Sequence, residues 1–200
     1  MDRAMVFIDY QNTHLGAHAR FLPPGTSVAA GHVNPRRLAD LLVARRRRSS
    51  ELAAVHVYRG RPSPDRQRGS AAANDRQAAV WSRNDLVHVH RRPLRYPKDW
   101  PNAPAVEKGI DVQLAIDIVR LAIQGEYDAA IIVSHDSDLL PAVEAIQALK
   151  VAHIEVATWS GLRQPIRKPG SRSGNWVPWC HWLTEKDFDA VRDWTDYTAI

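Results

Sequence analysis

The chain has 200 residues, 44% hydrophobic and 24% charged, an ordinary globular mixture and about one domain's worth of sequence. No run approaches the ~18 apolar residues of a membrane span, and the opening MDRAMVFIDY lacks a basic leader with a cleavable apolar stretch, so the expectation is a non-membrane, unexported, cytoplasmic chain. A single cysteine, Cys180, excludes an internal disulfide framework and any multi-cysteine zinc site, and the net charge of +5 is unevenly spread.

Residues 36–95 carry fifteen arginines against five acids, whereas 107–138 carry seven acids against Lys108 and Arg120. A further basic stretch, Arg163, Arg167, Lys168 and Arg172, follows. An acidic patch between basic stretches suits a protein that attracts a phosphate polymer and holds divalent cations at one place. The run Arg45–Arg48 has a simpler reading too, since cations at a helix C-terminus favour its dipole.

Short β-branched runs alternate with helical stretches, the pattern of a layered α/β domain with a mainly parallel sheet. Ala4–Ile8 is the first predicted strand. A polar loop with Pro and Gly is predicted from Thr13 to His32, and Asn34 with Pro35 opens a helix reaching about Arg47. Leu52–Tyr58 reads as a strand, Asp65–Arg83 as a helix, Leu86–His90 as a strand and Tyr96–Ala105 as a proline-punctuated loop. Gly109–Ile123 (helix), Ala129–Ser134 (strand), Ser137–Leu149 (helix) and Ala152–Thr158 (strand) complete five strands. The expected organisation is one α/β domain over 1–160 and an extension over 161–200 packed on it. Four of the seven tryptophans fall between Trp176 and Trp194, where core packing is the expected role and a contact surface the alternative.

Ligands of open parallel sheets bind beyond the carboxyl ends of the strands. Asp9 follows the first strand, Asp136 and Asp138 follow the strand AAIIVS, and Asp111 falls in the opening turn of the helix from Gly109. Four carboxylates on one rim repel unless protonated or bridged by cations, and hard oxygen donors suit Mg²⁺ or Mn²⁺. Such ions polarise a phosphoryl oxygen and lower the pKa of an attacking water. Taken singly, each aspartate has an ordinary role as a helix cap or dipole partner. Asn12, Lys108 and Ser134 are the candidate supporting or substrate-binding positions, while His135 and Asp117 fit structural roles better. GxxxxGK[ST], GxGxxG and GxSxG motifs are absent, and His14 and His18 lack the Glu of HExxH.

FIDYQN at 7–12, EKGIDVQLAIDIV at 107–119 and YDAAIIVSHDSDLLPAVEAI at 127–146 together resemble the NYN domain, a PIN-like nuclease family that includes LabA-like proteins. The resemblance covers about residues 4–158. It implies a three-layer α/β/α PIN-like fold, in keeping with the mainly parallel five-stranded sheet read from the elements, while the Trp-rich C-terminal appendage lies outside the shared pattern. It implies Asp9, Asp111, Asp136 and Asp138 as catalytic and metal-binding residues, Asn12, Lys108 and Ser134 in support, Mg²⁺ or Mn²⁺ as cofactor and RNA, single-stranded rather than duplex, as partner. His135 stands where the family commonly has glycine, and YQN replaces its usual GxN. A metal-dependent ribonuclease is the leading expectation. A non-catalytic nucleic-acid or protein-binding module, with a homodimer or protein partner met through the Trp-rich tail, is the alternative. A phosphohydrolase resembling the haloacid dehalogenase class would need a DxD pair after the first strand, but Tyr10 and Gln11 follow Asp9.

Overall fold

Strand β1 (Asp2–Asp9) is buried from Ala4 to Asp9, as expected of an interior strand of a parallel sheet covered on both faces. Its side chains divide with period two. Val6 and Ile8 face one layer of helices and Met5 and Phe7 the other. The computed structural model describes residues 1–162, 166 and 178–199. The predicted basic positions Arg163, Arg167, Lys168 and Arg172, and Trp176, lie outside the described residues.

Helix α1 (Tyr10–Phe21) follows β1 directly, then α2 (Pro35–Ala44), β2 (Ser50–Arg61), α3 (Arg68–Trp81) and β3 (Val87–Pro93). Helix α4 (Ile110–Ile123), β4 (Ala129–Val133), α5 (Leu140–Leu149), β5 (His153–Trp159), β6 (Trp179–Leu183) and α6 (Glu185–Val191) complete the chain. The sheet order is β3-β2-β1-β4-β5-β6, with every neighbouring pair parallel. Leu38 and Leu42 of α2, Trp81 of α3 and Phe188 of α6 pack on one face. Ile110, Leu114 and Ile118 of α4 and Val143 and Ile146 of α5 pack on the other. The three-layer α/β/α architecture is thus present, with six strands rather than five.

Three local readings change. Residues 13–21 belong to a helix, because Asp9 caps it by accepting the Asn12 N–H at 3.2 Å and Tyr10, Thr13 and Ala17 bury its inner face. Gly16, which reads as a loop residue, is closely packed: a Cβ there would lie 3.0 Å from Leu162 Cδ1 and 3.2 Å from Trp159 Cδ1, tighter than ordinary contact. Second, α2 stops at Ala44 and the arginine run is spent on tertiary contacts. Arg45 pairs with Asp187, wholly buried Arg46 donates to Glu155 at 2.9 Å, and Arg47 stacks on Trp179 at 4.3 Å. Third, the tail supplies β6, and its three described tryptophans are not core. Buried His181 and Leu183 face inward, while Trp179, Trp182 and Trp194 are largely exposed.

Candidate metal cleft at the strand ends

Between β1 and β4 the sheet order reverses, and the chain leaves the two strands in opposite directions, which opens a crevice at their carboxyl ends. The last residue of β1 is Asp9, and Ser134, His135 and Asp136 follow β4. Thr13 lies against both strand ends, its hydroxyl 2.6 Å from the Asp9 carbonyl and 3.4 Å from the Val133 carbonyl. A cleft of about 530 Å³ lies here, lined by Asp9, Gln11, Asn12, Glu107, Asp111, His135 and Asp136 and floored by Gly16 and Leu162.

The carboxylates are held by a short chain of hydrogen bonds. Ser134, itself buried, donates through Oγ to Asp9 Oδ2 at 3.0 Å and accepts the Asp136 N–H at 3.0 Å. Asn12 Oδ1 accepts the His135 N–H at 3.3 Å, bracing the loop against α1. Asp136 Oδ1 accepts the Asp138 N–H at 2.9 Å, so Asp136 also caps the short 3₁₀ turn Ser137–Leu139 that precedes α5. Gly109, with φ +76°, turns the chain into α4 so that Asp111 stands in its first turn at the cleft.

Burial pushes the Asp9 carboxyl up to about 7, against the Asn12 and Ser134 bonds and with the nearby charges of Asp111 and Glu107 adding to the rise. Asp111 is raised by burial and then by Asp136 and Asp138, and Glu107 by burial with Asp111 adding. His135 is held below its usual range by burial, hence neutral. Among the described residues, no Lys or Arg lines the cleft to offset this negative charge.

Of the predicted residues, the fold brings Asp9, Asp111, Asp136 and Asn12 to one cleft, with Ser134 directly behind the carboxylates. Asp138 is exposed at the margin, near enough to influence Asp111, and Lys108 is exposed outside the lining. Asp117 lies in the packed layer instead, accepting from Tyr58 at 3.1 Å and pairing with Arg120. Sequence reasoning missed Glu107, which takes the Gly60 N–H and, with the Gln11 amide nitrogen turned toward it, accepts from Gln11 at 2.7 Å. Its signal lay in the acid count of 107–138 and its place two residues before Gly109. A Cβ at Gly60 would sit 2.3 Å from Leu94 Cδ2 and 2.9 Å from Glu107 Cγ, so both side chains would have to shift. Among the described residues no three His, Cys, Asp or Glu side chains form a set drawn together as a metal cage.

The NYN domain family matches residues 3–166, a span that holds the whole cleft. The chain belongs to this family. The NYN fold seen here also matches a crystal structure of a protein of unknown function from Vibrio parahaemolyticus RIMD 2210633. That likeness has a TM-score of 0.51 and 16% identity, over 78% of this chain and 81% of that one. It establishes the shared fold. No curated protein matches. Within the NYN fold of this chain, no described helix is long and apolar enough to cross a membrane.

Proposed function

We propose that this NYN protein is a metal-dependent ribonuclease acting at the cleft between β1 and β4. The observation that carries the reading is the gathering of Asp9, Glu107, Asp111 and Asp136 on one cleft that no Lys or Arg lines among the described residues. Buried like charges raise one another's pKa, and a bound divalent cation reverses that effect. The donor set fits Mg²⁺ or Mn²⁺, which take hard oxygen ligands. Mg²⁺ also keeps several waters and needs only one or two direct carboxylates, so a tight three-ligand cage is not required of the protein.

In this reading Asp9, Asp111 and Asp136 would hold the ion, one or two of them directly and the rest through its waters, with Asp138 at the margin. When bound, the ion would supply Lewis acidity toward a phosphoryl oxygen and acidify water. Ser134 fixes the direction of Asp9 and the position of the Asp136 backbone at once, and Asn12 holds the His135 segment. Glu107 is kept in place by Gly60 and Gln11 and faces the cleft as a carboxylate able to accept a proton or orient water. Exposed Arg92, which donates to the Gly109 carbonyl at 3.1 Å beside the start of α4, and exposed Arg20, which donates to Ser160, flank the cleft and would hold flanking phosphates. Lys108, exposed on the same approach, is a further phosphate contact in this reading.

The test is cleavage of labelled single-stranded RNA and matched DNA with Mg²⁺, Mn²⁺ or chelator, with Asp136→Asn run beside the unaltered protein. Metal-dependent RNA cutting that disappears in the variant supports the reading. A folded protein that binds RNA equally with chelator and cuts neither polymer would replace it with a binding module.

A further inference from the structure

A second cavity, of about 810 Å³, opens on the same rim beyond the end of β2. Its volume falls in the range of small-molecule sites. Helix α3 lines it through Gly69, Ser70, Ala73, Asn74 and Gln77, and Arg59 of β2 lies against it, with Trp194 at its mouth.

Two features of the wall are short of acceptors. Arg59 forms no ion pair among the described residues. Its Nη1 donates to the Gln77 side-chain oxygen, its Nε is buried without a partner, and its guanidinium is held 4.9 Å from the Tyr10 ring centroid and 5.6 Å from that of Trp81. Gln77 is 2% exposed, and its amide nitrogen also has no partner. A buried guanidinium lacking a carboxylate, beside an orphaned amide donor, is costly to leave so. Independently, α3 begins at this cavity uncapped. Gln67 makes no side-chain cap, its oxygen instead accepting from Tyr96, and Ala71 is the first residue of α3 whose N–H reaches a backbone acceptor, at 2.8 Å. Open space surrounds Gly69. Free N–H groups at the positive end of a 14-residue helix favour an anion.

The carboxylates nearby are already engaged. Asp193 accepts from Trp81 at 3.1 Å and Tyr197 at 2.7 Å, and Asp196 accepts from Thr198. Burial and then the Arg59 charge lower the His32 pKa to about 4, leaving it neutral at the wall. Trp194, 70% exposed, carries the Arg192 guanidinium 3.9 Å over its ring and leaves aromatic surface at the mouth.

We infer that this cavity binds the phosphate monoester of a nucleotide, with the Arg59–Gln77 pair and the α3 N-terminus receiving the phosphate and Trp194 meeting the base. Tyr10, beneath Arg59, directly follows Asp9, so the site adjoins the acidic cleft. The inference does not require that cleft to cut anything. The shared chemistry fits either a free nucleotide or the phosphorylated end of an RNA chain.

The experiment is calorimetric titration in chelator, where cleavage is off, using AMP, adenosine, and an RNA hexamer with or without a 5′-phosphate. AMP or the phosphorylated hexamer should bind at least about tenfold tighter than its dephosphorylated counterpart, the loss expected for one charge-assisted bond. Preference for the hexamer assigns the RNA end, and preference for AMP the free nucleotide. Gln77→Glu, which keeps volume and gives Arg59 an internal carboxylate, should lose this binding by about tenfold or more with an undiminished melting temperature. Arg59→Lys should weaken it as well. Equal binding of phosphorylated and dephosphorylated probes, binding untouched in Gln77→Glu, or no binding by folded protein would overturn the inference, because water alone would then satisfy these donors.

Discussion

Ser134 links the Asp9 carboxylate to the Asp136 backbone, its hydroxyl donating to Asp9 Oδ2 and accepting the Asp136 N–H. Ser134→Ala removes a bond that lowers the Asp9 pKa and strands a part-buried N–H. We expect about 1–3 kcal/mol less stability in urea unfolding and a loss of about 10–100-fold in metal affinity or activity. An unaltered Mg²⁺ concentration dependence would make Ser134 a purely structural residue. Asp136→Asn should abolish cleavage with little change in melting, because one ligand charge is lost at nearly constant volume and the amide oxygen can still cap the Asp138 N–H. Preserved turnover would remove Asp136 from the metal site. At this scale Asp9, Asp111 and Asp136 were legible because each directly follows a strand or opens a helix. Glu107 showed only as one of the acids of 107–138, because its place in the cleft depends on the backbone N–H of Gly60, forty-seven residues away.

At the scale of elements, α1 owes its place to contacts that no local signal announces. Gly16→Ala improves helix propensity but drives a Cβ against Leu162 and Trp159, so overpacking should cost about 1–3 kcal/mol by urea unfolding. A variant as stable as the parent would show that these neighbours yield. The link between the turn after α2 and β5 is ionic: Arg46 donates to Glu155, which also bonds His181 at 2.7 Å. Burial alone would raise the Glu155 carboxyl, but the His181 and Arg46 bonds outweigh it and hold the pKa below the usual value. A carboxyl depressed in the folded state stabilises fully above its ordinary pKa, and that stability fades as pH falls through the lower folded value. Arg46→Met should therefore cost about 3–5 kcal/mol at neutral pH, by stranding a buried charge, and much less in acid. Equal losses at both pH values would assign the cost to packing. The sequence showed a basic run at a helix end, but which of its arginines turn inward was set by partners in β1, β5 and α6.

For the whole molecule, metal binding and folding are linked, since an ion held only by the folded cleft stabilises by mass action, about 2.7 kcal/mol at a hundred times its Kd. Mg²⁺ or Mn²⁺ should thus raise the melting temperature of the parent and leave Asp111→Asn unmoved. A shift of equal size in that variant would place the ion elsewhere. The alternation of strands and helices, the buried runs of β1 and β4 and the acids at their ends were readable along the chain, because period and adjacency are local properties. The helical state of residues 13–21, the sixth strand and the outward tryptophans were not. A glycine-bearing polar stretch becomes helical only when Trp159 and Leu162 cover it, and a Trp-rich segment becomes a strand only when β5 offers a free edge. The sequence by itself determined the layered parallel sheet and the acidic rim, through hydrophobic period and residue order. The tertiary structure alone decided which charges meet and which cavities open, because those depend on residues far apart in the chain.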